Sequence, residues 1–242
     1  MSNCFDFFEQ IYCINLKSRS DRWENCVSQF SHLDILERVK KTEGTLCAHP
    51  ALSLKQNAQV GCALSHYNIL KEAQKNDYSN VLVFEDDFLF LKDKEIVNAQ
   101  INKSIAELPS DWDVFYLGGF FVKGYDYEAT EKYSKNLIKA KTCFCLHAVS
   151  YSKKGINKIL QNLKLETELQ VLNFSREYEA IDWYFVREFQ ENNKCFAAAD
   201  LLCAQKDGFS NIENKYFDYR GNFQESYKQH VEKFLWFFFN FI

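Results

Sequence analysis

Four apolar residues, Val81, Leu82, Val83 and Phe84, run straight into three carboxylates, Glu85, Asp86 and Asp87, and the chain turns apolar again at Phe88, Leu89 and Phe90. A continuous run of β-branched and large apolar residues behind the turn residues Asp77, Tyr78, Ser79 and Asn80 reads as a strand buried on both faces. Such strands belong to parallel sheets covered by helices. Carboxylates at the end of one point into the crevice where open α/β sheets bind ligands. The alternative, a solvated turn between two strands, expects polar or glycine neighbours. Here apolar residues on both sides pin the acids near the core.

Adjacent carboxylates repel each other unless positive charge sits between them. Oxygen donors suit Mg²⁺ or Mn²⁺, ions that commonly accompany phosphate-bearing substrates. The triplet therefore points to an enzyme acting on an activated, phosphate-linked donor.

The remaining pattern places this strand in an alternating fold. Residues 10–16 read as a first buried strand. Asp21 with Glu24 three positions on has the form of a capping box and opens a helix through Phe30. A second strand covers 37–42 and ends at Gly44, and residues 46–59, with little periodicity, read as a loop. Val60, Leu64, Tyr67 and Leu70 recur at helical spacing and predict a helix over 61–75. A helix follows at 95–108, then a strand at 112–118 closed by Gly118 and Gly119. Residues 123–139 read as a polar surface loop, 142–151 as a strand, 153–163 and 181–191 as helices, and 195–203 as a last buried strand. Strands alternating with helices indicate an α/β fold with a mostly parallel central sheet flanked by helices. A length of 242 residues suits one domain, with 220–242 as an aromatic-rich helical extension.

Composition excludes several classes. A formal net charge of −4, with no basic stripe, argues against nucleic acid as a partner. The nine cysteines are odd in number and form no C-x-x-C pair. They read as reduced, buried small hydrophobes in a reducing, cytoplasmic compartment. The N-terminus lacks the basic and apolar regions of a signal peptide, and no run reaches the roughly 18 apolar residues of a membrane span. Residues 234–242 come nearest. They either pack as a final core helix or associate peripherally with a membrane. Core packing is favoured, because only Lys228 and Lys233 stand nearby to meet lipid headgroups. No glycine lies between Phe5 and Thr42, which excludes both G-x-G-x-x-G and a P-loop in the first βα turn. A Rossmann dehydrogenase and a P-loop kinase fall away, and a sugar nucleotidyltransferase is disfavoured.

Four separated segments together resemble glycosyltransferase family 25, which includes bacterial lipooligosaccharide galactosyltransferases and collagen hydroxylysine galactosyltransferases. They are residues 11–22 (IYCINLKSRSDR), 61–67 (GCALSHY), 81–87 (VLVFEDD) and 112–118 (WDVFYLG). Weaker matches follow in order at 150–155 (SYSKKG), at Ile181 and Asp182, and at 205–212 (QKDGFSNI). The resemblance implies a Rossmann-like, A-type glycosyltransferase fold. It also implies a UDP-sugar donor, UDP-galactose or UDP-glucose, with Mn²⁺ or Mg²⁺ and inversion at the sugar carbon. The acceptor would be a hydroxyl on a glycan or a hydroxylysine-type protein side chain, as in lipopolysaccharide biosynthesis or collagen glycosylation. Donor hydrolysis without an acceptor, and a non-catalytic nucleotide-sugar or glycan-binding protein on the same fold, are the rival readings.

Residue roles follow from the matched motifs. Asn15 and Leu16 end the first strand, with Arg19 and Arg22 just beyond. Planar guanidinium there suits a diphosphate, while a solvated helix start is the competing reading. Gly44 is a further substrate contact. Gly61 opens the helix carrying Ser65 and His66, where a helix N-terminus favours an anion; a lone histidine can equally be structural. Glu85 and Asp87 form the acid-x-Asp pattern of metal-dependent members. Asp87 is the direct metal ligand, and Glu85 and Asp86 serve the metal or the ribose. Asp182 is the candidate base for the acceptor, against the plainer reading of a helix cap, and His147 is the second candidate, against the plainer reading of a core residue. Gln205 and Ser210 complete the substrate contacts. Two positions depart from the family pattern: Ala180 stands where proline is common, and Asn211 where aspartate is common.

Overall fold

A computed structural model describes residues 3–123, 128–210 and 215–232. In chain order its elements are β1 (Gln10–Asn15), α1 (Ser20–His32), β2 (Val39–Glu43), α2 (Leu54–Lys75), β3 (Asn80–Glu85), β4 (Phe88–Phe90), α3 (Lys94–Glu107), β5 (Val114–Tyr116) and β6 (Phe120–Phe121). They continue with β7 (Thr130–Lys132), β8 (Leu137–Ala140), β9 (Cys143–Phe144), β10 (Ala148–Ser152), α4 (Lys153–Asn162), α5 (Glu168–Glu177) and α6 (Ile181–Tyr184). The chain closes through β11 (Cys195–Ala198), β12 (Cys203–Gln205), β13 (Gly208–Ser210), β14 (Lys215–Phe217) and α7 (Tyr219–Tyr227).

Eight strands form one sheet in the order β2-β1-β3-β10-β5-β11-β8-β7. Pairings β1–β2, β1–β3 and β5–β11 are parallel, and those involving β10 and β8 are antiparallel. Only β10 and β8 therefore oppose the common direction, and the mostly parallel expectation holds for the other strands. Successive residues feed opposite faces, as a pleated strand requires. Tyr12, Val81, Val83, Val114 and Tyr116 enter one core with α2, α4, α5 and α6. Ile11, Cys13, Leu82, Phe84 and Phe115 enter a second core with α1 and α3. Phe84 anchors the second against Phe30, Phe88 and Phe90, with ring centroids 5.4, 4.6 and 5.9 Å away. Each such fully buried ring contributes roughly 1.5–3 kcal/mol. This packing clamps the root of the acidic triplet from below.

Several expectations are corrected. Helix α1 has no capping box: Arg19 is its N-cap without a side-chain cap, and Asp21 lies in the first turn, paired with Arg19 at 2.9 Å. Helix α2 begins at Leu54, so residues 54–59 of the expected 46–59 loop are helical. Ser53 accepts from Gln56 N, and the Gln56 side chain accepts in return from Ser53 N. The 123–139 loop instead contains β7 and most of β8, with Thr130, Leu137 and Ile138 buried; residues 124–127 lie outside the described residues. The 142–151 strand is broken by Cys145, whose φ of 72° is incompatible with a continuous ladder. Helix α5 lies where the sequence reading places no element, and Thr167 and Gln170 form its capping box. In the C-terminal extension, α7 packs through Phe223, Ser226 and Tyr227, with Ser226 bonded to both backbone groups of Phe121. Residues 234–242 lie outside the described residues.

Candidate functional site

Strands β1 and β3 are parallel neighbours with Ile14 opposite Glu85, so both end at one sheet edge. Asn15 is buried there, and its Nδ2 donates to Asp86 Oδ2 at 2.7 Å and to Arg19 O at 3.0 Å. Arg22, in the first turn of α1, donates to Asp86 Oδ1 at 2.7 Å and to Asp87 Oδ2 at 3.3 Å. The Gln205 side chain, at the end of β12, hydrogen-bonds Asp87. Four chain segments thus meet at the triplet.

Between this network and α2 opens a cleft of ≈ 300 Å³. Leu16, Arg19, Arg22, Gly44, Ser65, Glu85, Asp86 and Asp87 all line it. Ser65 accepts from Thr45 N and donates to Gly61 O, both at 2.7 Å, which fixes the loop after β2 against α2. Gly61 does not open the helix. It lies in its interior, where a Cβ would come within 2.6 Å of Thr45 O. Glycine is therefore required for the loop's approach, and the expected anion site at a helix N-terminus is absent at this position.

The charges are unevenly placed. Burial opposes ionisation of Glu85, but His66, whose Nε2 lies 2.9 Å from Glu85 Oε1, holds its pKa below the usual value through the hydrogen bond and its charge. Burial, reinforced by Glu85, pushes Asp87 up to about 7 against the opposing pull of Arg22. Asp87 Oδ1 is buried without a hydrogen-bond partner. An orphaned carboxylate oxygen beside a second acid is a site that a hard cation fits, so Asp87 and Glu85 suit Mn²⁺ or Mg²⁺.

Asp182 is not a helix cap. Ala180 is the N-cap of α6, no side chain caps it, and Asp182 Oδ2 instead accepts from Cys145 N at 3.2 Å on a separate segment. The left-handed turn at Cys145 aims that N–H at the carboxylate. Burial, then the charge of Glu85, pushes Asp182 up to about 6. The His147 side chain does not line the cleft, although its backbone O accepts from Glu85 N at 3.0 Å. It is fully buried, its Nε2 lies 3.3 Å from Cys203 O, and its ring packs edge-on against Phe223. Burial drives its pKa down to about 4, as for a histidine in the core. The Ser210 side chain and Asn211 lie outside the described residues.

Sequence reasoning missed the opposite wall, formed by Thr45, Leu46, Cys47, Leu54, Asn57 and Cys62. The signal was the Ser53–Gln56 capping box, which moves the helix start upstream and carries Leu54 and Asn57 into the cleft.

Residues 49–162 match the family model described as glycosyltransferase family 25 (LPS biosynthesis protein). The chain is 25% identical over 224 residues to the probable inactive glycosyltransferase 25 family member 3 of Bos taurus, covering 81% of this chain and 36% of that protein. It is 24% identical over 171 residues to procollagen galactosyltransferase 2 of Homo sapiens, covering 63% and 27%. The chain thus spans about a third of the length of these curated relatives. Among solved structures, a glycosyltransferase involved in glycosylation of the major capsid of PBCV-1 aligns with a TM-score of 0.38 and 13% identity, over 85% of this chain and 95% of that one. That last similarity is too distant to support a functional inference. The sequence matches agree with one another: residues 49–162, which contribute α2 and the acidic end of β3 to the cleft, are similar to glycosyltransferase family 25.

Proposed function

We propose that the cleft binds a UDP-hexose, UDP-galactose or UDP-glucose, and that the chain transfers the sugar with inversion to a hydroxyl on a glycan or a hydroxylysine-type side chain. The observation that carries this reading is the network joining Asn15, Arg22, Asp86 and Asp87 at the shared edge of β1 and β3. Arg19 and Arg22 line the cleft and supply the positive charge a diphosphate leaving group needs. Asp87 and Glu85 would hold Mn²⁺ or Mg²⁺, which when bound acts as a Lewis acid on the leaving phosphate.

Asp182 takes the acceptor proton. A carboxylate raised to about 6 is ionised at neutral pH yet more basic than an exposed aspartate, as a general base requires. The names of several relatives favour galactose as the sugar and collagen as one acceptor class. The nine free thiols suit a reducing, cytoplasmic compartment.

A second reading, donor binding without transfer, is favoured by the inactive relatives and by the ion pairs with which Arg22 already neutralises Asp86 and Asp87. Screening UDP-sugars for metal-dependent hydrolysis and transfer separates the two. Turnover of one UDP-hexose supports the enzyme, and saturable binding of all candidates without turnover supports the binding protein.

A further inference from the structure

Cys62 and His66 stand four residues apart on one face of α2, and both reach Glu85 at the end of β3. Cys62 Sγ lies 3.6 Å from Glu85 Oε1, and His66 Nε2 lies 2.9 Å from the same oxygen. All three donor atoms fall within 4.8 Å of one another. A tetrahedral zinc ion, with bonds of about 2.3 Å to sulfur and about 2.0–2.2 Å to nitrogen and oxygen, sets its ligand atoms roughly 3.3–3.7 Å apart. The observed spacing therefore needs only small side-chain adjustments.

We infer that Cys62, His66 and Glu85 form a binding site for a thiophilic divalent cation of the Zn²⁺ class. A thiolate, an imidazole and one carboxylate select such an ion over Mg²⁺ or Mn²⁺, which prefer oxygen donors throughout. Cys62 binds as the thiolate, its proton passing to the buffer. The hydroxyl of buried Tyr151 lies 3.5 Å from His66 Nδ1, so the second ring nitrogen has a partner that orients Nε2 toward the ion. Cys62 and Glu85 both line the cleft, which gives the ion an entry path and leaves its fourth position toward solvent or ligand.

The consequence is competition. Glu85 bound to zinc is withdrawn from the cleft, so zinc occupancy weakens binding of a nucleotide sugar there. Metal binding itself does not depend on the glycosyltransferase reading, and the experiment reads the metal alone.

Titration of the full chain with cobalt(II) chloride, under a non-thiol reductant, should show one equivalent bound with a thiolate-to-cobalt charge-transfer band that zinc chloride abolishes by displacement. Cys62→Ser should remove the band and weaken zinc binding at least about tenfold, the loss that even an outer partner of a metal ligand produces. Cys47→Ser, at the other thiol near α2 that lines the cleft, should leave both intact. No saturable band, a band that survives Cys62→Ser, or one lost with Cys47→Ser would overturn the assignment. If Cys62→Ser does not fold, X-ray absorption of the zinc-loaded wild type decides: one sulfur in the shell supports the site, and a sulfur-free shell rejects it.

Discussion

Arg22 meets Asp86 at 2.7 Å across 64 residues of sequence, and the same Nη1 reaches Asp87 at 3.3 Å. One guanidinium therefore holds the first helix of the chain to the acidic end of β3, in place of the repulsion that bare carboxylates would feel. A lysine ammonium is a strongly hydrated point charge on a flexible stem, less suited than a guanidinium to this half-buried position between two acids. Arg22→Lys should lower both the melting temperature and the affinity for UDP, the latter by about tenfold, the value of one charge-assisted hydrogen bond. Paired thermal melts and calorimetry with UDP check this; unchanged affinity would remove Arg22 from the binding site.

Asp182 offers a test with opposite signs in two assays. Asp182→Asn keeps an oxygen that can accept from Cys145 N but cannot take a proton. Transfer should fall by at least about two orders of magnitude while donor affinity holds. In the wild type, transfer should decline as pH drops below about 6, where the base becomes protonated. Stability runs the other way. A folded pKa of about 6 against 3.8 means the folded state holds the proton more tightly. That contribution is fully present below pH 3.8 and lost as pH rises through about 6. The Asn variant should thus be more stable than wild type above pH 6, by at most about 3 kcal/mol, and equal to it in acid. Denaturant melts at both pH values measure the difference.

The sequence showed the parts of this site but not their meeting. Strand β3 and its triplet were legible because Val81 to Phe84 form an unbroken apolar run with an abrupt polar end. Leu16, Arg19, Arg22, Ser65 and Asp86 were named from motifs, and they line one cleft. What no local pattern carries is a tertiary pair such as Asn15 with Asp86, or the reversed direction of β10, which depends on which neighbours it finds. A histidine in an expected strand, such as His147, looks the same in sequence whether it faces a cleft or the core, and here its side chain is buried. Cys62 was passed over among nine dispersed cysteines. Its spacing to His66 was readable, but only the arrival of Glu85 from β3 reveals a third donor.

Gly155, inside α4, has backbone angles that alanine tolerates, so helix propensity alone would favour Gly155→Ala by about 1 kcal/mol. A Cβ there, however, would lie 2.1 Å from Asp113 O, just before β5. Overpacking of this kind costs about 1–3 kcal/mol or more. Denaturant midpoints should show net destabilisation; a stabilised variant would mean that α4 does not press on the Asp113 backbone.

All nine cysteines are unpaired, six of them buried. Denaturation without reductant, followed by thiol titration, should count nine reactive groups. A lower count in freshly purified protein would indicate disulfides that this packing does not contain.

Calorimetric titration of UDP, with manganese(II) and with EDTA, on wild type and Asp87→Ala addresses the cleft itself. The orphaned Asp87 oxygen and the neighbouring Glu85 should make binding to the wild type saturable, of one-to-one stoichiometry and dependent on the ion, and Asp87→Ala should lose the metal-dependent part while remaining folded. UDP affinity unchanged by both EDTA and the substitution, or no binding to the wild type at all, would contradict a metal-assisted nucleotide-sugar site at the end of β3.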